Sequence, residues 1–307
     1  MEPRFAKVAV IGLGLLGGSV AGAARARRVA ARVVGVTRGR DVAALARERG
    51  VVDEAVLDPA AGAAGADLLV LATPVFAMAD ALRAAAPGLA EGALVTDVGS
   101  VKAPLAETLP GLLPAGVRYV GAHPMAGGHE SGLRHARADL FDGAPCVLTP
   151  VPGTPRASVA RVAEFWTALG ARVLERDPAA HDAEVAWVSH LPHALAFAYA
   201  GALAGAPAGA SALRGAGFRD FTRIAWSEPE LWADILVHNR KALAAPLAAA
   251  GERLAALARL VEAGDAEALE RFLAAARETL ASAADDARSG GANPEIQAAP
   301  ERAANEE

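Results

Sequence analysis

The chain has one cysteine in 307 residues, Cys146, which excludes an internal disulfide and fits a reducing compartment. It sits in the apolar run Pro145-Cys146-Val147-Leu148 with no histidine close by, the setting of a small core residue rather than of a nucleophile. An unbroken apolar run of about 20 residues, which a membrane-spanning helix needs, is missing too. The Ala-rich stretch 193–210 is cut by Pro207 and by small residues. Charge of one sign is also lacking: 30 Lys and Arg against 35 Asp and Glu leave a net charge of -5, which gives nucleic acid or an anionic membrane nothing to hold. No tandem repeat is visible. Arg4 and Lys7 precede an apolar run ending near Ala26, the layout of a signal peptide. The glycines at fixed positions in that run, and the strand its removal would delete, argue instead for a cytoplasmic protein.

What is present reads as globular. A hydrophobic content of 53% with 21% charged residues is that of a folded protein, and the length suits two domains. Short apolar runs alternate with helical patterns through the first half, at 7–11, 32–37, 67–72, 93–97, 118–122 and 146–149. This predicts an α/β Rossmann-type, doubly wound and mainly parallel sheet. The breakers in Val151-Pro152-Gly153-Thr154-Pro155 read as a linker. A helix at 157–170, an edge strand at 172–175 and long helices at 181–203, 228–250 and 265–283 are expected after it. The organisation predicted is a dinucleotide-binding domain over 1–152, an all-helical substrate and dimerisation domain over 153–284, and a polar, disordered tail over 285–307. Helices rich in Ala and Leu, apolar on more than one face, predict a homodimer.

Val8-Ala9-Val10-Ile11 runs into Gly12-Leu13-Gly14-Leu15-Leu16-Gly17, a G-x-G-x-x-G placed between a strand and a helix. Gly12 makes the tight turn, Gly14 admits a pyrophosphate to the backbone and Gly17 lets the helix pack on the strand. Gly12, Gly14, Leu15, Leu16 and Gly17 are therefore expected at a cofactor. An NAD site offers Asp or Glu to the ribose after the second strand, but here Thr37-Arg38-Gly39-Arg40 follows with no acid. Thr37, Arg38 and Arg40 could hold a 2'-phosphate by charge-assisted hydrogen bonds, so NADP is preferred over NAD. The plainer reading makes Arg38 and Arg40 solvated loop charges.

His123, at the end of the strand in Val120-Gly121-Ala122-His123-Pro124-Met125-Ala126-Gly127, has an unperturbed pKa near 6.5 that suits proton transfer at neutral pH. Ser100, in Asp97-Val98-Gly99-Ser100-Val101-Lys102, follows another strand end and could equally cap a helix over 101–109. Lys102 reads as a first-turn surface residue. His190 and His193 share a helix face, but no third ligand stands at metal spacing and no metal is expected. Arg219 and Arg223 are four apart with Asp220 between them, which alone would suit an intrahelical ion-pair cluster. His135, His181 and His238 read as solvent-facing.

Taken together, these motifs, in this order from about Lys7 to about Leu243, resemble the prephenate/arogenate dehydrogenase family of tyrosine synthesis. The resemblance implies NAD(P)-dependent oxidative decarboxylation of a cyclohexadienol. It implies His123 as the base and Ser100 as a hydrogen-bond partner of that histidine and of the substrate hydroxyl. Arg223, with Arg219 beside it, would grip the substrate carboxylate. His193 would lie on the substrate side, Trp232 would form an aromatic wall, and Thr73-Pro74 would flank the adenosine and nicotinamide ribose. At His129 many relatives carry an acid, and its loss disfavours the ammonium of arogenate. Prephenate is thus favoured over arogenate, while an enzyme acting on 4-amino-4-deoxyprephenate would share every motif here. A β-hydroxyacid dehydrogenase would need a catalytic Lys in a Gly-rich helix, and Lys241 in His238-Asn239-Arg240-Lys241 lacks the glycines. A cofactor-sensing protein with a decayed centre would not need Ser100, His123, His193 and Arg223 together.

Overall fold

A computed structural model of the protein describes residues 2–128 and 130–289. Eight strands form one sheet in the order β3-β2-β1-β4-β5-β6-β7-β8: β1 (Phe5–Ile11), β2 (Ala30–Val36), β3 (Glu54–Val56), β4 (Leu68–Leu71), β5 (Leu94–Asp97), β6 (Arg118–Pro124), β7 (Pro145–Pro150) and β8 (Arg172–Glu175). All neighbouring pairs are parallel except β6 with β7. Strands such as Val8-Ala9-Val10-Ile11 and Leu68-Leu69-Val70-Leu71 are apolar throughout because helices cover both sheet faces. β3 went unanticipated, since three residues carry too little pattern to read.

Six helices flank the sheet: α1 (Leu15–Ala26), α2 (Arg40–Glu48), α3 (Pro59–Ala63), α4 (Val75–Ala85), α5 (Ala103–Thr108) and α6 (Arg156–Ala168). A core beneath α4 and α5 joins Met78, Leu82, Leu105 and Leu109 to Ile11, Leu71 and Val95. Beyond the turn at 151–154 the edge strand expected at 172–175 forms as β8, which returns beside β7 in parallel register. The division predicted at 152/153 therefore falls inside the αβ layer, which continues to Glu175.

The rest is helical: α7 (Pro178–Val185), a π-helical segment (Ala186–His190), α8 (Leu191–Ala202), α9 (Ala216–Thr222), α10 (Pro229–His238), α11 (Arg240–Ala263) and α12 (Ala266–Ser289). Two expected long helices are thus broken, one by the π-turn and one at Asn239. The chain forms two compact units, Met1–Lys241 and Ala242–Glu307. In the second, α11 and α12 meet through Gly264 at φ +66°, and Arg253 lies over the Phe272 ring at 4.2 Å. Residues 285–289 continue α12, so the predicted tail begins in helix, and 290–307 lie outside the described residues.

The β1–α1 turn depends on two glycines. Gly12 has φ +95°, and a Cβ there would lie 2.5 Å from the Ala72 carbonyl oxygen. A Cβ on Gly17 would run into the Gly12 carbonyl and lie 2.8 Å from the Ala72 Cβ. Neither neighbour can yield without moving α1 off the sheet. We expect Gly17→Ala to lower stability by about 1–3 kcal/mol, as overpacking does. Urea unfolding would show a lower midpoint, and an unchanged midpoint would refute close packing here.

Candidate active site

The carboxyl ends of the parallel strands carry the residues of interest. Gly12 follows β1, Thr37 follows β2, Thr73 follows β4, Asp97 ends β5 and His123 lies near the end of β6. The sheet order reverses between β1 and β4, the switch point where open α/β sheets take their ligands. A cleft of about 900 Å³ opens there, lined among others by Gly12, Gly14, Thr37, Arg38, Thr73 and Pro74. These residues suit a dinucleotide. Among the described residues nothing lies within 4 Å of a Cβ on Gly14, and no side chain caps the α1 N-terminus. Thr73 Oγ1 is buried with no hydrogen-bond partner among the described residues. Leu15 and Leu16 sit half-buried in the first turn of α1, and neither they nor Arg40 line the cleft.

His123 is 8% exposed and part of a polar cluster sealed from water. Its Nδ1 lies 2.8 Å from Nε2 of His181, whose Nδ1 lies 2.8 Å from Asp182 Oδ1. Burial, with His181, Lys102 and His190 adding to it, pushes the His123 pKa well below the ordinary imidazole value. His181 is 1% exposed, so the expected solvent-facing role is wrong: α7 packs on α5 and β7 and turns the ring inward.

Lys102 is likewise fully buried rather than a surface residue. It precedes α5, and its Nζ is paired with Asp97 and donates to the Ala122 carbonyl at 2.7 Å. Asp97 also accepts from Tyr119 Oη at 2.7 Å and from the Gly99 N–H at 2.6 Å. Burial lowers the Lys102 pKa and Asp97 opposes the shift, while Tyr119 is raised well above its usual value by burial and by Asp97. Ser100 is half-buried and has no hydrogen-bond partner among the described residues. It does not cap α5, because the helix starts at Ala103 and Asp182 receives the Lys102 and Ala103 N–H groups at 2.7 and 2.8 Å. Cys146 is buried, its thiol pKa raised well above normal by desolvation.

On the helical side His193 stacks on Trp232, ring centroids 3.6 Å apart at 17°, and its Nδ1 bonds the Ser189 carbonyl at 2.9 Å. Trp232 packs on Val101, which links this side to the β5–α5 loop. Burial, opposed by the Ser189 carbonyl and assisted by Arg223, lowers the His193 pKa, which sets the Arg223 charge near that ring. Arg223 is exposed and has no acidic partner among the described residues, and Arg219 bonds the Arg214 carbonyl, so the ion-pair cluster with Asp220 is not formed. His238 is half-buried, 2.7 Å from Asp234, which accepts from the Phe76 N–H on the cleft wall at 3.3 Å. His135 is exposed beside Glu130. His129 lies outside the described residues. No metal-binding group of three His, Cys, Asp or Glu occurs among the described residues.

Sequence reasoning missed Lys102 as a buried cation, the His181–Asp182 pair and Asn239. Asn239 donates to the Asp182 carbonyl at 2.9 Å and to His190 Nδ1 at 2.8 Å. An Asn that interrupts a helical pattern was the available signal.

A glycine turn at the switch point of a doubly wound sheet, opening on a large cleft, defines a dinucleotide-dependent dehydrogenase. Two family models narrow this: "Prephenate dehydrogenase, nucleotide-binding domain" matches residues 20–175 and "Prephenate dehydrogenase, dimerization domain" matches 177–275. The chain belongs to the prephenate dehydrogenase family. The Bacillus subtilis (strain 168) prephenate dehydrogenase is 32% identical over 88% of this chain and 74% of its own length. The crystal structure of the A. aeolicus prephenate dehydrogenase with hydroxyphenyl propionate and NAD+ matches with a TM-score of 0.82 and 30% identity over 92% of this chain and 98% of that one. Synechocystis arogenate dehydrogenase matches with a TM-score of 0.74 and 34% identity over 90% and 99%.

Two tests follow from this geometry. Lys102→Met strands the Asp97 carboxylate in a dry site and should cost about 3–5 kcal/mol in urea unfolding, while adding Asp97→Asn should recover part of the loss. A double variant that loses the sum of the two single losses would mean that the pair is uncoupled. His190, whose Nε2 is buried without a partner among the described residues, has its pKa lowered by burial to about 4. The unfolded chain takes up that proton near pH 6.5, whereas the folded chain refuses it until about 4. Stability should therefore fall as pH drops through this window, by on the order of 3 kcal/mol from this group. His190→Leu should flatten the slope, and an unaltered slope would assign it elsewhere.

Proposed function

We propose that this protein is an NAD(P)-dependent prephenate dehydrogenase acting as a homodimer. The observation that carries the reading is a desolvated histidine, His123, on the same sheet edge as a cleft suited to a dinucleotide, with Arg223 free of acidic partners among the described residues and near His193. A nicotinamide bound in this cleft would supply the acceptor for the hydride on the hydroxyl-bearing ring carbon. His123 takes the hydroxyl proton as the ring carbonyl forms; the ring carboxylate leaves as carbon dioxide, its bonding electrons completing the aromatic ring, and the proton returns to the phenolate oxygen. Ser100, half-buried after β5, would bond the hydroxyl, and the planar fork of Arg223 would hold a carboxylate, with Arg219 adding charge. The stacked His193 and Trp232 would wall the ring. Thr37 and Arg38 line the cleft where β2 ends without a carboxylate, which supports NADP over NAD.

Homodimer formation is supported by Leu247, Leu254 and Val261 on α11 and Leu273 and Leu280 on α12, exposed at seven-residue intervals. Such a spacing presents one apolar stripe to a partner helix. No helix among the described residues is long and apolar enough to cross a membrane.

Absorbance of the reduced nicotinamide, with prephenate, arogenate and 4-amino-4-deoxyprephenate each offered NADP+ or NAD+, tests the reading. Turnover of prephenate with NADP+ should be fastest. Arogenate as the better substrate would replace the substrate assignment. Arg38→Ala should raise KM for NADP+ by roughly one to two orders of magnitude, the worth of a charged hydrogen bond, and leave NAD+ kinetics nearly unmoved. A wild type preferring NAD+ tenfold would overturn the cofactor assignment.

A further inference from the structure

The cluster around His123 specifies where its protons sit. Asp182 accepts from three N–H groups: the backbone amides of Lys102 and Ala103, at 2.7 and 2.8 Å, and the ring of His181 at 2.8 Å. Surrounded by donors, it is a carboxylate, and a carboxylate only accepts. The hydrogen between it and His181 therefore belongs to His181 Nδ1. A neutral His181 then carries a bare lone pair on Nε2, and that atom faces His123 Nδ1 at 2.8 Å. The opposite assignment would set a bare Nδ1 against the Asp182 carboxylate, lone pair on lone pair.

We infer that His181, oriented by Asp182, is a positioning residue that keeps His123 protonated on Nδ1 and bare on Nε2, and that it receives the Nδ1 proton when Nε2 takes one from substrate. This rests on the proposed reaction. The step balances: the substrate O–H breaks as His123 Nε2–H forms, His123 Nδ1–H breaks as His181 Nε2–H forms, and the cation ends on His181 beside Asp182. Displacing the charge has a physical motive. A cation on His123 would be desolvated and would face His181, Lys102 and His190, which together with burial depress its proton affinity. On His181 it lies against a carboxylate. Lys102 is itself paired with Asp97, so it does not compete for Asp182 through its ammonium. The support is fixed from below, because Asp177 caps α7 by accepting from Ala179 and Ala180 at 2.9 and 3.1 Å.

Long-range proton–nitrogen spectra of histidine-labelled full-length protein, alone and with NADP+, read the tautomer without turnover. Neutral His123 should carry its proton on Nδ1, and a spectrum with the proton on Nε2 would overturn the inference. His181→Leu removes both acceptor and relay: kcat for prephenate should fall on the order of 100-fold, KM and the NADP+ Kd should stay within about twofold, and His123 should lose its single tautomer. His181→Gln, which accepts a hydrogen bond but cannot take the proton, should restore the tautomer and only part of kcat, and it serves if the Leu variant misfolds. Wild-type kcat in His181→Leu would dismiss the relay. Should wild type turn over none of the offered substrates, the functional reading fails while the tautomer spectrum still decides this one.

Discussion

The buried pair of Lys102 and Asp97 is the interaction on which the rest of the site depends. Two opposite charges with no solvent contact are tolerable only if each is paired and hydrogen-bonded, since stranding either is expensive. Here the carboxylate ends β5, the ammonium comes from the segment opening α5, and the ammonium also holds the carbonyl of Ala122, the residue before His123. Tyr119, on the same strand as His123, closes the network through its hydroxyl. One ion pair thereby fixes the mutual positions of β5, β6 and α5. The backbone amide of the same lysine reaches Asp182, which brings in α7.

The sheet separates two demands. On the β1–β4 side a cleft is left open, with the Gly14 backbone and the α1 N-terminus, uncapped among the described residues, facing a ligand. On the β5–β6 side the space is filled by titratable groups that have already lost their water. Val101, packed on Trp232, connects the second region to the helical residues that would meet a substrate. Electrostatics in such a dry region act at full strength, which suits a reaction whose driving force resides in the substrate and whose protein partner mainly has to place groups.

Much of this was legible in the sequence because it is written locally. The glycine fingerprint, the apolar strands and the position of His123 at a strand end need only neighbouring residues to be read. What escaped depends on distant residues meeting. Lys102 looks like a surface lysine until β5 and β6 bring a carboxylate and a carbonyl to it. His181 looks exposed because a helix with Pro178, His181, Asp182 and Glu184 in its first turns carries no obvious apolar stripe. Ser100 has the composition of a helix cap, yet the capping is done from residue 182, far along the chain. The break at Asn239 shows in the sequence only as one Asn in a helical pattern, and its partners His190 and Asp182 come from far along the chain.

Asp182 has a consequence of its own. One carboxylate oxygen receives two N–H groups and the other receives one, so an amide in its place would turn an NH2 toward a donor whichever way it flipped. A Glu would overshoot by a methylene in a packed site. The position thus has no near-isosteric substitute, and the same two oxygens serve helix architecture and imidazole chemistry at once. Drift at residue 182 cannot trade one for the other, so variation that tunes this enzyme must enter elsewhere, through the cleft and the helical wall.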